Sequence, residues 1–307
     1  MKQEYDVIIV GGGPAGLTAS IYAKRAALST LVIEKQPFCG GQVLNTYEVD
    51  NYPGLPGIDG FSLSEKFHEH AEKLEAEFYT GEMTDLIDEG TKKTVVLKSG
   101  EKISAKGVIL ALGAVHRKAM VSGEDELKGK GVSYCATCDG AFFRNKTTAV
   151  IGGGDVALED AIFLARACKK VYVIHRRDEF RGARILQKKL MSLDNVEILW
   201  DTVVEKIQGN QVVEGIEVRN VKTEEKKEIS LEGVFVAIGT VPDTKALEGV
   251  LELDESGYIK AEEHGATSMP GVFCAGDCRT KQLRQIVTSA ADGANCVFSL
   301  EQYLATL

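Results

Sequence analysis

The sequence predicts an α/β chain built on two β-turn-α-β units, from three observations: an internal repeat, a glycine loop inside each copy, and an apolar run closing each copy. The first copy is DVIIVGGGPAGLTASIYAKRAALSTLVIEK from Asp6, and the second is TAVIGGGDVALEDAIFLARACKKVYVIHRR from Thr148. Each opens with a β-branched apolar run, read as a strand. A glycine triplet follows as the turn, then small and apolar residues at helical spacing, then a second strand.

The bulk numbers agree with such a fold. With 307 residues and 44% hydrophobic content, the chain can bury the cores of two ordinary domains. Its formal net charge of −9 repels nucleic acid and anionic membrane surfaces. No run approaches the roughly 18 apolar residues of a membrane span, and the N-terminus lacks the pattern of a secretory signal. The expected location is the cytoplasm. The 7 scattered cysteines do not form a secreted disulfide framework, so a disulfide here is expected to be catalytic.

The loops read G-x-G-x-x-G at Gly11, Gly13 and Gly16, and G-x-G-x-x-A at Gly152, Gly154 and Ala157. The first glycine makes a tight turn, the second lets backbone approach a pyrophosphate, and the third small residue lets helix pack on strand. The pyrophosphate then meets the helix N-terminus. Superposing Gly11 on Gly152 carries Glu34 onto His175, and the chemistry differs there. Glu34 suits an adenosine ribose, as in a site for FAD or NAD. His175, Arg176 and Arg177, with Arg181 one turn on, suit the 2′-phosphate of NADPH. Two Rossmann-like dinucleotide sites, one for a flavin and one for a nicotinamide, describe a flavoprotein reductase.

In SYCATCDGAFF, Cys135 and Cys138 are two residues apart and Asp139 follows. A four-sulfur zinc site with Cys274 and Cys278 of FCAGDC is one reading of these thiols. A redox dithiol is the better one, because the spacing places two sulfurs within bonding reach and lowers one thiol pKa. Asp139 can move the proton that each exchange step requires. The histidines at 68, 70, 116 and 264 form no metal spacing, and no metal is assigned.

With these motifs in place, the chain resembles the low-molecular-weight thioredoxin reductases over its whole length. The landmarks occur in order: GGGPAG with Pro14 and Ala15, GGQ with Gly41, EVDNYPG, CATCDG, GGGDVA, HRRDEFR, and GVFCAGDCR followed by RQIVTSAADG. The resemblance implies that Asp277 binds the flavin ribitol and that Gln42, Asn51, Arg284 and Gln285 lie near the ring or its phosphates. It also implies cofactor contacts by Ile286 on the flavin side and by Asp155, Val156, Ile238 and Gly239 on the NADPH side. Cys138 would face the flavin, Cys135 would attack the substrate disulfide, and Asp139 would serve as acid and base. Val156 stands where a small hydroxyl residue is common, and Cys278 where an aliphatic one is usual.

The FAD elements at residues 1–115 and 245–307 enclose an NADPH domain at 116–244 that also carries the dithiol, with candidate hinges at LGAVHRK and IGTVPDT. Dithiol and nicotinamide would therefore reach one flavin alternately, by rotation about the hinges. Thioredoxin is the expected acceptor, and the resemblance implies a homodimer. Competing readings are a reductase or oxidase serving another dithiol acceptor, and a redox-sensing flavoprotein without turnover. The complete NADPH signature argues against a ferredoxin-fed enzyme.

Overall fold

Residues 4–46 and 48–307 are described by the computed structural model of the chain. The first β-turn-α-β copy folds as β1 (Tyr5–Val10), α1 (Pro14–Arg25) and β2 (Thr30–Glu34). Alternation along YDVIIV sends Val7 and Ile9 to one sheet face, in a cluster with the i, i+4, i+8 stripe Ala15, Ala19 and Ala23 of α1. Ile8 and Val10 join the cluster on the other side with Leu31 and Ile33. Both faces of the strand are buried, as a central parallel strand requires.

The chain continues through α2 (Gly60–Lys73), β3 (Glu77–Thr80), β4 (Met83–Asp88), β5 (Lys93–Leu97), β6 (Lys102–Leu110) and β7 (Ala114–His116). The sheet runs β3-β2-β1-β6-β5-β4, with β3, β2, β1 and β6 parallel and the last two strands antiparallel.

Next come β8 (Val132–Ser133), α3 (Ala136–Asp139), β9 (Thr147–Gly152), α4 (Asp155–Ala165), β10 (Lys170–Ile174), α5 (Arg184–Met191) and β11 (Val196–Leu199). The antiparallel strands β12 (Thr202–Gly209), β13 (Val213–Asn220) and β14 (Lys226–Ser230) lead to β15 (Gly233–Ala237) and β16 (Thr240–Pro242). The parallel sheet here is ordered β11-β10-β9-β15-β8. The three-strand run β11-β10-β9 matches β3-β2-β1, so the sequence repeat is a repeat of topology. KTEEKKE begins in the turn between β13 and β14, where the Asn220 side chain accepts the Lys222 and Thr223 N–H groups at 2.9 and 3.0 Å.

Finally β17 (Val272–Cys274) pairs in parallel with β6, and α6 (Ile286–Leu304) lies across α1. Gly293 permits that crossing: a Cβ there would stand 2.2 Å from the Ala15 carbonyl oxygen. The chain thus forms two compact units, residues up to Val115 with Val241–Leu307, and His116–Thr240. The second crossing falls inside IGTVPDT, somewhat before the 244/245 boundary read from the sequence.

Candidate active site and cofactor loops

Each glycine loop joins the central parallel strand of its unit to a helix, where strand order reverses and a crevice opens. In the first loop Gly11 has φ +109°, and Gly16 lies so close that a Cβ would stand 1.8 Å from the Gly11 carbonyl oxygen. Helix α1 starts with Pro14 after Gly13, and no side chain caps it. A Cβ on Gly13 would find its nearest neighbour, the Gly41 Cα, at 4.0 Å. The N–H groups opening α1 thus face a glycine-lined gap, which fits a pyrophosphate.

Glu34 ends β2 half-buried. Its carboxylate accepts the Gly12 N–H at 2.6 Å and the Gln36 N–H at 2.9 Å. It lines a cavity of about 310 Å³ that combines the apolar Phe38, Phe61 and Phe78 with the polar Glu65, His68 and Glu72. The residues present therefore fit an adenine dinucleotide.

At the far end of the same unit the GDCR turn is fixed from α6. Asp292 accepts the Gly276 N–H at 2.9 Å, Arg279 Nε at 2.9 Å and Nη2 at 2.7 Å, and Lys281 Nζ at 2.7 Å. All three side chains of this cluster are buried. Asp277 beside it accepts the Ser289 hydroxyl at 3.0 Å, and burial pushes its carboxyl above the ordinary value. Arg284 donates to the Asp277 carbonyl at 3.3 Å and lies over the Tyr258 ring, 3.9 Å from its centroid. Gln285 caps α6 and accepts the Asn51 amide at 2.8 Å, while Gln42 donates to the Ala114 carbonyl. Residues separated by most of the chain, Asn51 with Gln285, are thereby brought together; Ile286 begins α6.

In the other unit Cys135 and Cys138 are joined as a disulfide. Cys135 is the N-cap of α3, and its sulfur accepts the Cys138 N–H at 3.1 Å and lies 3.2 Å from the Thr137 hydroxyl. After reduction these donors stabilise negative charge on Cys135. Cys138 is exposed, and half-buried Asp139 follows it, its N–H bonded to the Cys135 carbonyl at 3.2 Å.

The second loop repeats the first with other chemistry. Helix α4 begins after Gly154 without a side-chain cap, and a Cβ on Gly154 would meet nothing within 4 Å. Asp155 accepts the Ala183 N–H at 2.6 Å, and Arg181 N–H reaches the Gly153 carbonyl at 2.8 Å, so HRRDEFR folds back on the loop. Arg176, Arg177 and Arg181 are exposed, whereas His175 is buried. Its Nε2 lies 3.0 Å from the Glu179 carbonyl, and its ring packs beside Phe180 and Trp200. Burial, the three arginines adding to it, holds His175 below the usual histidine pKa. The cationic face is therefore the arginines, and His175 supports the loop from beneath. Val156 is exposed at the start of α4, Ala157 is buried against Gly152, and Gly239 (φ +105°) has open space at its Cβ position after Ile238.

Sequence reasoning missed the Asp292 cluster, whose partners lie 11 and 13 residues apart in a segment that reads as an ordinary helix. Cys274 and Cys278 are buried with sulfurs 3.4 Å apart, and among the described residues no group of three or more side chains is arranged to hold a metal.

Uncapped glycine loops on the parallel strands of two sheets and a Cys-x-x-Cys disulfide define a two-Rossmann-domain disulfide oxidoreductase. The model of the pyridine nucleotide-disulphide oxidoreductases matches residues 5–293, and the chain belongs to that family. It is similar to the thioredoxin reductase of Bacillus subtilis, with 44% identity over 304 residues, covering 99% of this chain and 96% of the relative. Among solved structures, Lactococcus lactis thioredoxin reductase superposes with a TM-score of 0.96 at 39% identity, covering 99% of this chain and 100% of that one. The T. acidophilum thioredoxin reductase gives 0.93 at 31% identity, covering 99% of each. The thioredoxin reductase family is FAD-containing and NADPH-dependent, and the chain is a flavoprotein disulfide reductase.

Proposed function

We propose that this chain reduces a thioredoxin disulfide, with Cys135 and Cys138 as the dithiol, the first glycine loop and Glu34 holding FAD, and the second loop with its arginines holding NADPH. The observation that carries the reading is the Cys135–Cys138 disulfide, in the unit that also holds the loop suited to NADPH. Bound at the first loop, FAD would supply the two-electron chemistry that links a nicotinamide to a disulfide.

The residues follow from the geometry. Gly11, Gly13, Pro14, Ala15 and Gly16 present backbone to the FAD pyrophosphate, and Glu34 accepts from the ribose. Asp277, Gln42, Asn51, Arg284, Gln285 and Ile286 order the ribitol and ring end. Gly152, Gly154, Asp155, Val156 and Ala157 form the NADPH loop, Arg176, Arg177 and Arg181 bind the 2′-phosphate above His175, and Ile238 and Gly239 line the nicotinamide side.

Reduction breaks the Cys135–Cys138 bond, taking up two electrons and one proton, and leaves Cys135 a thiolate and Cys138 a thiol. Cys135, held as thiolate by the Cys138 N–H and Thr137, attacks the acceptor disulfide and forms a mixed disulfide. Cys138 then attacks Cys135 and re-forms the disulfide, releasing the acceptor as a dithiol whose two protons come from Cys138 and from solvent. Asp139 moves the proton at Cys138.

The reading includes rotation of the inserted unit between half-reactions, supported by the two chain crossings at β7 and β16. It also includes a cytoplasmic homodimer. The 5 free cysteines fit a reducing compartment, and among the described residues no helix is long and apolar enough to cross a membrane.

Anaerobic NADPH titration of the FAD-loaded protein tests the electron count. Wild type should consume an electron pair for the flavin and a second for the dithiol, and Cys135→Ser only the first. Equal consumption by both would refute the assignment.

A further inference from the structure

We propose that Cys274 and Cys278 are a second dithiol, a modification site that a small hydroperoxide converts to an intramolecular disulfide independently of Cys135 and Cys138. The inference stands apart from the reductase reading above and concerns thiols that the reading does not use.

The fold turns the two sulfurs toward each other. Cys274 ends β17, and the short helical turn Gly276–Cys278 follows it. Gly276, at φ +80°, lets the chain double back within that turn. Both cysteine backbones are anchored from elsewhere: the Cys274 N–H donates to the Gly265 carbonyl at 2.7 Å, and the Cys278 carbonyl accepts the Ile259 N–H at 2.9 Å. Between them, the Gly276 N–H is held by Asp292 at 2.9 Å. So fixed, the Sγ atoms stand 3.4 Å apart, and closing to a bond of about 2.05 Å asks for a movement of about 1.4 Å.

The third thiol of this region is set differently. Cys296 of α6 directs its sulfur at the Cys274 carbonyl, 3.3 Å away, and packs in the cluster of Ala15 and Ala19. Cys274 and Cys278 pack in the other cluster of this unit, with Val108 and Leu110. The pair is therefore Cys274 with Cys278.

Burial decides the oxidant. Both residues are 0% exposed, so a protein or glutathione disulfide cannot reach either sulfur, whereas a hydroperoxide of few atoms needs only a small local opening. Cys278 is held below the ordinary thiol pKa, first by the hydrogen bond from Cys274, while burial pushes Cys274 up. Cys278 is thus the attacking sulfur. It takes one peroxide oxygen and becomes a sulfenic acid; the O–O bond breaks, and the other oxygen leaves as water with the Cys278 proton. Cys274 then attacks the Cys278 sulfur. The S–S bond forms, the S–O bond breaks, and hydroxide leaves as a second water with the Cys274 proton. Two thiols have lost two electrons to one hydroperoxide.

Trypsin places both cysteines in one peptide, 261–279, and Cys296 in another, 285–307. FAD-loaded Cys135→Ser/Cys138→Ser protein, reduced with dithiothreitol and desalted, is treated with hydrogen peroxide, unfolded in acid, alkylated with iodoacetamide and digested without reduction. Peptide 261–279 should pass from the doubly alkylated form to an unalkylated form lighter than the dithiol by two hydrogens, and dithiothreitol should reverse the change. Oxidised glutathione at equal concentration should act roughly tenfold more slowly or not at all. Cys278→Val should abolish the conversion and leave Cys274 open to alkylation. A doubly alkylated peptide that persists in peroxide would overturn the proposal, as would a link to 285–307 or a Cys278 sulfinic acid formed beside a free Cys274. Conversion by oxidised glutathione as fast as by peroxide would overturn it too. Should Cys278→Val not fold, the peptide masses of the parent protein decide alone. Failure of NADPH to reduce the Cys135–Cys138 disulfide would instead strike the reductase reading and leave these masses unchanged.

Discussion

The carboxylate of Glu34 accepts the backbone N–H of Gly12 at 2.6 Å, tying the end of β2 to the loop that opens α1. The same position in the second repeat is His175, whose ring packs under Gly153: a Cβ added there would stand 2.4 Å from it. One scaffold therefore supports two loops, by an acceptor in the first and by a buried ring in the second.

Glu34→Ala removes the loop contact together with the acceptor proposed for the FAD ribose. FAD affinity is expected to fall by about 1–3 kcal/mol, or roughly 5- to 150-fold. Flavin fluorescence titration of apoprotein measures it. Glu34→Gln, which keeps an acceptor oxygen, should lose less, and an unchanged affinity for Glu34→Ala would remove Glu34 from the FAD site.

Arg176, Arg177 and Arg181 are the exposed cations of the second loop. Alanine at Arg176 or Arg181 should raise the KM for NADPH by roughly tenfold or more, with little change for NADH, because only NADPH carries the 2′-phosphate. The effect should shrink as salt rises. Equal losses with both coenzymes would mean that the arginines shape the loop without reading the phosphate.

Asp292 joins Arg279 and Lys281 below the surface. Burial acts to raise its pKa, but hydrogen bonds from Arg279 and Lys281 outweigh it, and the carboxyl is held below the ordinary value. A depressed folded-state pKa gives stability that is complete above the unfolded value near about 4 and is lost as pH falls through the folded one. Asp292→Asn leaves two buried cations without their anion, and should cost about 3–5 kcal/mol at neutral pH. Urea unfolding between about pH 3 and about pH 7 should also show a shallower acid loss in the variant than in wild type. A wild-type stability flat below about pH 4 would contradict this account.

The strands, the loops and the dithiol were legible because each leaves a local mark. YDVIIV alternates, the glycines recur at fixed spacing, and two cysteines stand in one turn. The resemblance supplied Asn51 and Gln285, whose contact joins distant parts of the chain. Two features were not legible. His175 reads as one more cation in HRR, and only its burial between Gly153 and Phe180 shows it as a support. Asp292 sits in a helical segment where an acid ordinarily faces water, and its partners Arg279 and Lys281 are fixed by tertiary packing.

Steady-state reduction of thioredoxin by FAD-loaded protein and NADPH, coupled to a disulfide dye, is the most direct test of the central claim. Wild type should turn over, while Cys138→Ser, still carrying FAD, should lose all but a trace of that activity. Undiminished turnover by Cys138→Ser would contradict the dithiol relay.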